Sequence, residues 1–178
     1  VTRGVQELRS HQVDSKIDPT IFISSQNLEI NPYRLNPERA GLGARLGEDI
    51  RWSRYDIKTT GLIGNILSLH DPSKERVDEI IFHKDGIINE GSRSNIFFVK
   101  DKKVYTPSLE QNILPGVTRA FIIKLLKEND ISIFEETIPI DFINESDEIW
   151  LTSSTKEIQP VDYICLLYTS PSPRDLST

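Results

Sequence analysis

Cysteine, histidine and long apolar runs are scarce in this sequence, and each scarcity excludes a class of protein. The chain has one cysteine, Cys165, so it can form no internal disulfide and offers no thiolate ligand set for a metal ion. His70 and His83 stand alone, without the spacing that metal ligands show. The sequence therefore predicts no metal site, and its cysteine usage is compatible with a reducing, cytoplasmic compartment.

An excess of positive charge and a membrane-spanning segment are missing as well. The formal net charge of −6 gives no basic surface of the kind that binds a phosphate backbone. No apolar run approaches the roughly 20 residues that a membrane helix needs. The opening VTRGVQELRS has no apolar core of a signal peptide. We therefore expect no nucleic-acid partner and no membrane partner.

Both ends of the sequence are unusual. VTRG reads as the middle of a strand, without a cap or a starting methionine, so we expect an N-terminal segment to be missing. The last stretch, CLLYTSPSPRDLST, is rich in Ser, Pro and Thr and lacks the periodicity of the preceding chain. We interpret residues 165–178 as a non-native tail, with a natural disordered tail as the alternative.

Apolar patterns between these ends predict strands, hairpins and helices in mixed order. We expect strands at 1–13 and 20–25, an irregular segment at 26–44, and a strand-like run that ends at Lys58. The remaining predictions are a helix in GLIGNILSLH, hairpins around Lys84-Asp85-Gly86 and Asp101-Lys102-Lys103, a helix in PGVTRAFIIKLLKEN with apolar residues at 121, 122, 125 and 126, a strand in ISIFEETIPI, a helical turn in DFINESD and a buried strand in EIWLTSS. This mixture predicts an α+β fold.

Two polar segments, one at the start of a predicted helix and one at the end of a predicted strand, could bind a phosphate. In LPGVTR, Val117 and Thr118 lie where a helix begins, and free backbone N–H groups there favour an anion. The alternative is that Thr118 only caps the helix. In LTSSTKE, Ser153 and Ser154 follow an apolar strand, where hydroxyls and loop amides could hold a phosphate. An ordinary exit from a strand into a loop explains the same pattern.

Two further segments carry a single ionisable residue each. NEGSRSN holds Glu90 between two strands, where a carboxylate could neutralise a cationic ring nitrogen or merely lie in a surface turn. YDIKTTG holds Lys58, which could form a Schiff base if it were desolvated. A lone lysine is usually a surface charge, so the segment decides nothing when it is read alone.

Taken together and in this order, the stretches EDIRWSRYDIK, EGSRSNIFFVKD, NILPGVTR and LTSSTKEIQPV resemble the fold-type IV enzymes that depend on pyridoxal phosphate (PLP). The resemblance covers roughly residues 1–164. It implies the end of a small N-terminal α/β domain at 1–25, an interdomain segment at 26–47 and the larger, C-terminally truncated, PLP-binding domain at 48–164.

The resemblance also assigns roles to individual residues. Lys58 corresponds to the lysine that binds PLP as a Schiff base and moves a proton at the substrate, and Glu90 to the carboxylate that pairs with the pyridine nitrogen. The other positions it implies are Val117, Thr118, Ser153 and Ser154 around the phosphate, Leu114 on one face of the ring, and Arg51 near the phenolic oxygen. Family residues that lie upstream of Val1, an arginine and a tyrosine, have no counterpart here.

The opening strand suggests which branch of the family is closest. Arg9 and His11 form an Arg-x-His pair similar to the one that traps the substrate carboxylate in D-amino-acid aminotransferases, reaching in from the partner subunit. Residues two apart on a strand point to the same face, so a guanidinium and an imidazole could clamp one carboxylate. Exposed polar residues on an edge strand are the alternative.

The resemblance thus implies transamination between a D-amino acid, such as D-alanine, and a 2-oxo acid, such as 2-oxoglutarate, in a cytoplasmic homodimer. Within the family, a branched-chain L-amino-acid aminotransferase and an aminodeoxychorismate lyase stay open as alternatives. Outside it, a non-catalytic α+β protein that binds a phosphate ligand is the remaining interpretation.

Overall fold

The computed structural model describes residues 1–6, 10–12, 16–31, 36, 41–70 and 77–165. The chain divides into two compact units, the first spanning Val1–Ile30 and the second beginning at Asn31. Every helix and strand found in the described residues belongs to the second unit.

The first unit forms no strand in its described residues, so the strands predicted at 1–13 and 20–25 are wrong there. The backbone hydrogen bond that links these segments runs from Thr2 N to Thr20 O, at 2.9 Å. Gly4 next to it has a φ of +91°. A strand persists only where repeated hydrogen bonds tie it to a neighbour, and an alternating sequence alone does not supply that neighbour.

The second unit is built on a mixed β-sheet. Its strands are β1 (Leu42–Glu48), β2 (Glu79–Lys84), β3 (Ile87–Gly91), β4 (Asn95–Lys100), β5 (Lys103–Pro107), β6 (Ile133–Glu136), β7 (Ile138–Pro139), β8 (Glu148–Ser153) and β9 (Glu157–Cys165). Within the described residues these nine strands run in the spatial order β6-β5-β4-β8-β9-β1-β2-β3-β7. The pairs β1–β2, β1–β9 and β5–β6 are parallel and the others antiparallel.

Strand β9 joins the two halves of this sheet. Its first part pairs antiparallel with β8, with Ile158 opposite Thr152, and its last part pairs parallel with β1, with Tyr163 opposite Gly43. Strand β1 lies inside the segment 26–44 that was predicted to be irregular, and that prediction is wrong from Leu42 onward. Parallel pairing depends on partners far along the chain, so local sequence gave no sign of it.

Both predicted hairpins are confirmed, and their turns explain why. Asp85 and Gly86 join β2 to β3 with φ values of 51° and 78°. Asp101 and Lys102 join β4 to β5 with φ values of 51° and 62°. Two successive residues with positive φ are the mark of the type I′ turn, whose twist matches that of the paired strands.

The predicted helices are confirmed as α1 (Ile63–Leu69), α2 (Val117–Glu128) and the short α3 (Phe142–Glu145). On α2, however, the buried residues include Ile122 and Ile123, whereas Phe121 is 58% exposed. The predicted strand in ISIFEETIPI is two strands instead: β6 pairs with β5, and β7 pairs with β3 at the far edge of the sheet.

Apolar residues cover both faces of the sheet. Helix α2 packs over Phe97 and Val104 in one cluster, where Phe97 stacks on Trp150 with ring centroids 4.3 Å apart. The larger cluster comprises Ala44, Leu46, Ile81, Ile88, Ile96, Phe98, Ile138 and Leu151. Helices on a largely antiparallel, hairpin-built sheet confirm the α+β prediction.

Candidate functional site

The candidate site is centred on the buried carboxylate of Glu90, near the end of β3. Glu90 is 3% exposed and accepts hydrogen bonds from three neighbours. Arg51 Nη1 lies 2.7 Å from Oε1, Asn95 Nδ2 lies 2.9 Å from Oε2, and the backbone N–H of Leu114 reaches both oxygens at 3.2 and 3.1 Å. The alternative in which Glu90 merely lies in a surface turn is therefore wrong.

Arg51 is held on its other edge by a second carboxylate. Asp49 Oδ1 accepts from Arg51 Nε at 2.9 Å and Oδ2 accepts from Arg51 Nη2 at 2.8 Å. The guanidinium carbon lies 4.9 Å from the centre of the Tyr55 ring and 4.7 Å from that of Phe82. Two aromatic faces and two carboxylates thus fix Arg51 in one orientation.

The pKa values of the two carboxylates shift in opposite directions, although burial acts to raise both. Burial raises the pKa of Glu90 to about 7, and the charge of Arg51 and the Leu114 N–H only partly oppose it. Burial also acts to raise the pKa of Asp49, but its hydrogen bonds and the charge of Arg51 outweigh burial and lower that pKa below its usual value. Glu90 therefore exchanges a proton near neutral pH while Asp49 stays ionised.

The turn between β3 and β4 is built around a third buried carboxylate, that of Glu79. Glu79 accepts hydrogen bonds from the Ser92 backbone N–H at 3.1 Å, from the Ser92 hydroxyl and from the Ser94 hydroxyl at 3.1 Å. Gly91 N also donates to Ser94 O at 2.7 Å. This closed turn brings the residues on either side of it, Glu90 and Asn95, into hydrogen-bond contact.

Asn95 links the carboxylate to the start of α2. Its Nδ2 donates to Leu114 O at 2.9 Å as well as to Glu90. A Cβ atom at Gly116 would lie 2.0 Å from Asn95 Oδ1, so only glycine fits at that place. Gly116 is the N-cap residue of α2, and no side chain in the described residues caps the helix. The alternative in which Thr118 serves as the cap is therefore wrong, and the first-turn N–H groups of a 12-residue helix remain available.

The end of β8 carries hydroxyl groups opposite the start of β4. Thr152 lies opposite Asn95 in the β4–β8 register and is 2% exposed. Its Oγ1 is buried and has no hydrogen-bond partner among the described residues. Ser153 Oγ accepts from the Lys156 backbone N–H at 3.2 Å, and Ser154 is exposed. A buried hydroxyl without a partner in the described residues thus lies on Thr152, one residue before the predicted pair.

Lys58 lies in an irregular, exposed segment, so the strand-like run predicted to end there is wrong beyond Glu48. No contact of Lys58 with Glu90 is found in the described residues. An ammonium group without an acidic partner is more stable in water than in the interior. The structure therefore brings Glu90, Arg51 and Leu114 together and leaves Lys58 on the surface of the same unit.

The remaining predicted residues stay untested. Arg9 lies outside the described residues. His11 is exposed in the first unit. Their carboxylate trap remains a prediction. Among the described residues, no cluster of three or more metal-type ligands occurs, and no helix is both long and apolar enough to cross a membrane.

Sequence reasoning missed Asp49, Asn95 and Thr152. Asp49 had a signal, because it stands two residues before Arg51 in EDIR. Asn95 closes the same turn segment that carries Glu90, and Thr152 immediately precedes the two serines. Asn95 contacts Leu114, which is distant in the sequence, and local patterns do not reveal such a partner.

With this geometry in place, comparison with known proteins identifies the family. The sequence profile described as "Amino-transferase class IV" matches residues 1–164. The chain belongs to the class IV aminotransferases. The resemblance seen in the four ordered segments is thereby confirmed.

This class IV chain is similar to aminotransferases that are named for two kinds of substrate. A D-alanine aminotransferase of Staphylococcus aureus (strain N315) is 35% identical over 161 residues, which cover 90% of this chain and 56% of that protein. The branched-chain aminotransferase of Thermoproteus uzoniensis, solved with norvaline, is 27% identical with a TM-score of 0.66, over 75% of this chain and 48% of that one. The branched-chain amino acid aminotransferase of Thermobaculum terrenum, solved in its PLP-form, is 25% identical with a TM-score of 0.66, over 72% of this chain and 44% of that one. The chain spans about half the length of each of these proteins.

Proposed function

We propose that the protein containing this chain is a PLP-dependent aminotransferase that transfers an amino group from a D-amino acid, such as D-alanine, to a 2-oxo acid, such as 2-oxoglutarate. The observation that carries the proposal is the Glu90 carboxylate, buried among three donors beside the uncapped start of α2. The 35% sequence identity to a D-alanine aminotransferase supports the choice of substrate. The proposed PLP-binding domain is 48–164, preceded by the end of a small domain at 1–25 and a connecting segment at 26–47.

The residues present fit PLP at both of its polar ends. The free N–H groups at Val117 and Thr118 and the orphaned Thr152 Oγ1 are suited to a phosphate. Ser153 and Ser154, which follow Thr152 in the sequence, are proposed to contact the same phosphate. A carboxylate that titrates near pH 7, as Glu90 does, is suited to a basic ring nitrogen.

Each residue then has a defined task. When bound, PLP supplies an electron sink for the carbanion at the substrate Cα. Glu90 keeps the ring nitrogen protonated, and Leu114, whose N–H is fixed on Glu90, is proposed to pack on one face of the ring. Lys58 would hold the cofactor covalently and carry the proton to and from the substrate Cα as general base and acid.

Arg51 has two carboxylate partners within the chain itself. Its nitrogens donate to Asp49 and Glu90 in the structure, and a contact with the phenolic oxygen of the cofactor stays a prediction. Arg9 and His11 are proposed to fix the substrate carboxylate, and thereby to decide which face of Cα meets Lys58. We further propose a cytoplasmic homodimer in which the Arg9 and His11 of one subunit serve the site of the other.

Uptake of PLP by the full-length protein tests the cofactor assignment. After reduction with borohydride, mass spectrometry should find PLP on the peptide that carries Lys58. The Lys58→Ala variant should lose this adduct, whereas Lys124→Ala, which removes an exposed lysine of α2, should keep it. An adduct that persists in Lys58→Ala would remove Lys58 from its role, and failure of the native protein to take up PLP would favour a non-catalytic protein.

Substrate choice is tested by amino-group transfer to 2-oxoglutarate. D-Alanine should react faster than L-leucine. The reverse order would support a branched-chain aminotransferase, which the similarity to the Thermoproteus and Thermobaculum enzymes keeps as the second candidate. Release of pyruvate from aminodeoxychorismate without an amino acceptor would instead identify the lyase.

A further inference from the structure

Asp49 is a buried carboxylate to which the proposed function assigns no task. Its side chain is fully buried. Its Oδ1 accepts from the Arg51 backbone N–H at 3.1 Å and from Nε at 2.9 Å. Its Oδ2 accepts from Arg51 Nη2 at 2.8 Å and from Asn89 Nδ2 at 2.9 Å. Each of these hydrogen bonds therefore fixes the position of the Asp49 carboxylate or that of Arg51.

The two carboxylates divide the guanidinium of Arg51 unequally. Asp49 occupies the edge formed by Nε and Nη2, which is the bidentate geometry that binds a carboxylate most strongly. Glu90 receives a single hydrogen bond from Nη1. Asp49 thus holds two nitrogens of Arg51, and Glu90 is bonded to the remaining one.

From this division, and resting on the proposed function, we propose that Asp49 is a positioning residue. By holding the bidentate edge of Arg51, it leaves Glu90 able to take up and release a proton toward the ring nitrogen of a bound heteroaromatic cofactor. Without Asp49, the guanidinium would be free to bind Glu90 with two hydrogen bonds, and Glu90 would become a permanently ionised partner of Arg51.

The surroundings of Glu90 agree with this division. Among the described residues, the charged and titratable groups that face Glu90 are Asp49, Arg51 and Tyr55, all from the segment that follows β1. Asn95 of β4 and the N–H of Leu114 contribute uncharged donors. The pKa of Glu90 is raised first by burial, lowered by the charge of Arg51 and raised again by the charge of Asp49.

The test is a titration of Glu90 in the cofactor-free, full-length protein. Glutamate carboxyl carbons are labelled with ¹³C, and their chemical shifts are followed from about pH 4 to about pH 9, the range around the ordinary and raised pKa values of the group. The resonance that Glu90→Gln abolishes belongs to Glu90. In Asp49→Asn, we expect the Glu90 midpoint to fall by about one pH unit or more, a tenfold weaker hold on its proton. An unchanged or higher midpoint would overturn the proposal.

The chain offers a matched control. Asp56 pairs with Arg54, two residues away, through Nε at 2.9 Å and Nη2 at 2.8 Å, but this pair is exposed. Asp56→Asn removes the same charge from the same arrangement, and it should leave the Glu90 midpoint where it is.

A second variant keeps the proposal open to refutation if Asp49→Asn does not fold. Asn89→Ala removes one hydrogen bond from Asp49 and leaves the Asp49–Arg51 pair in place. The Glu90 midpoint should then move in the same direction by a smaller amount. A midpoint identical to that of the native protein would count against the role of Asp49.

These outcomes are separable from the fate of the proposed function. If the Asp49→Asn midpoint falls while the native protein forms no lysine adduct with PLP, the division of Arg51 stands and the cofactor assignment fails. If the adduct forms and the midpoint does not move, the aminotransferase stands and Asp49 has no positioning role.

Discussion

The side-chain nitrogen of Asn95 lies 2.9 Å from Glu90 Oε2 and 2.9 Å from Leu114 O. One amide group therefore ties the buried carboxylate to the stretch of chain that enters α2. The same side chain turns its oxygen toward Gly116, the N-cap residue of that helix. In an aminotransferase of this class, the two ends of the cofactor would be held by elements that Asn95 keeps at a fixed separation.

Replacing Asn95 with alanine should destabilise the protein and weaken its hold on the cofactor. Glu90 and Leu114 O would each lose a donor, and a hydrogen bond to a charged group contributes about 1.5–3 kcal/mol. We expect the free energy of unfolding, measured with urea, to fall by about 2 kcal/mol. Asn129→Ala, which removes an exposed amide that donates to Leu125 O, should change it far less. Equal losses in both variants would contradict a special role for Asn95.

A methyl group at Gly116 should be poorly tolerated. In Gly116→Ala the new carbon would overlap Asn95 Oδ1, which must then move. Overpacking of this kind costs about 1–3 kcal/mol, and the affinity for inorganic phosphate or pyridoxamine phosphate should drop with it. In an Asn95→Ala background the same substitution should cost less, because the oxygen is gone. A double-mutant cycle measures this coupling, and strict additivity would refute the contact.

Stability should depend on pH through Glu90. Because burial raises the pKa of Glu90 to about 7, the folded protein binds this proton more tightly than the unfolded chain does. The stabilisation is complete below the usual pKa of a glutamate and is lost as the pH rises through 7. Compared with Glu90→Gln, the native protein should lose on the order of 3 kcal/mol between about pH 4.5 and pH 8. Parallel curves of unfolding free energy for the two proteins would show that Glu90 titrates normally.

Removing the carboxylate of Glu79 should open the turn between β3 and β4. Ser92 and Ser94 donate to it from the backbone and the hydroxyls, and buried donors left without an acceptor cost about 1–3 kcal/mol each. We expect the Glu79→Ala variant to unfold at a lower urea concentration. The pKa of Glu90 should no longer be raised to about 7, because the turn no longer holds Glu90 in its buried place. Ser94→Ala removes one donor only and should leave that titration in place.

Local chemistry explains which parts of this fold could be predicted. The hairpins at Asp85-Gly86 and Asp101-Lys102 were evident because the turn residues themselves determine the geometry. The helix over Val117–Glu128 followed from its apolar period, although tertiary contacts buried Ile123 rather than Phe121. Strand β1 escaped detection because its pairing partners, β2 and β9, are distant in the sequence.

The residues of the candidate site likewise fall into those that the sequence predicted and those that it did not. Glu90 and the start of α2 were found because ordered segments resembled a known family, and the structure places both at one location. Asp49 and Asn95 were missed because their roles are contacts with Arg51 and Leu114 that only the folded chain creates. The exposed position of Lys58 agrees with the preference of an ammonium group for water over the protein interior.

Strand β9 has a consequence for how the sheet comes apart. Its residues up to Pro160 bond to β8, and those from Val161 onward bond to β1. One continuous strand thus pairs with both groups of strands. If β9 separates from β8, its pairing with β1 is weakened as well, and the reverse also holds. The two groups should melt as one cooperative block, with amide protons on β1 and β8 exchanging at similar rates.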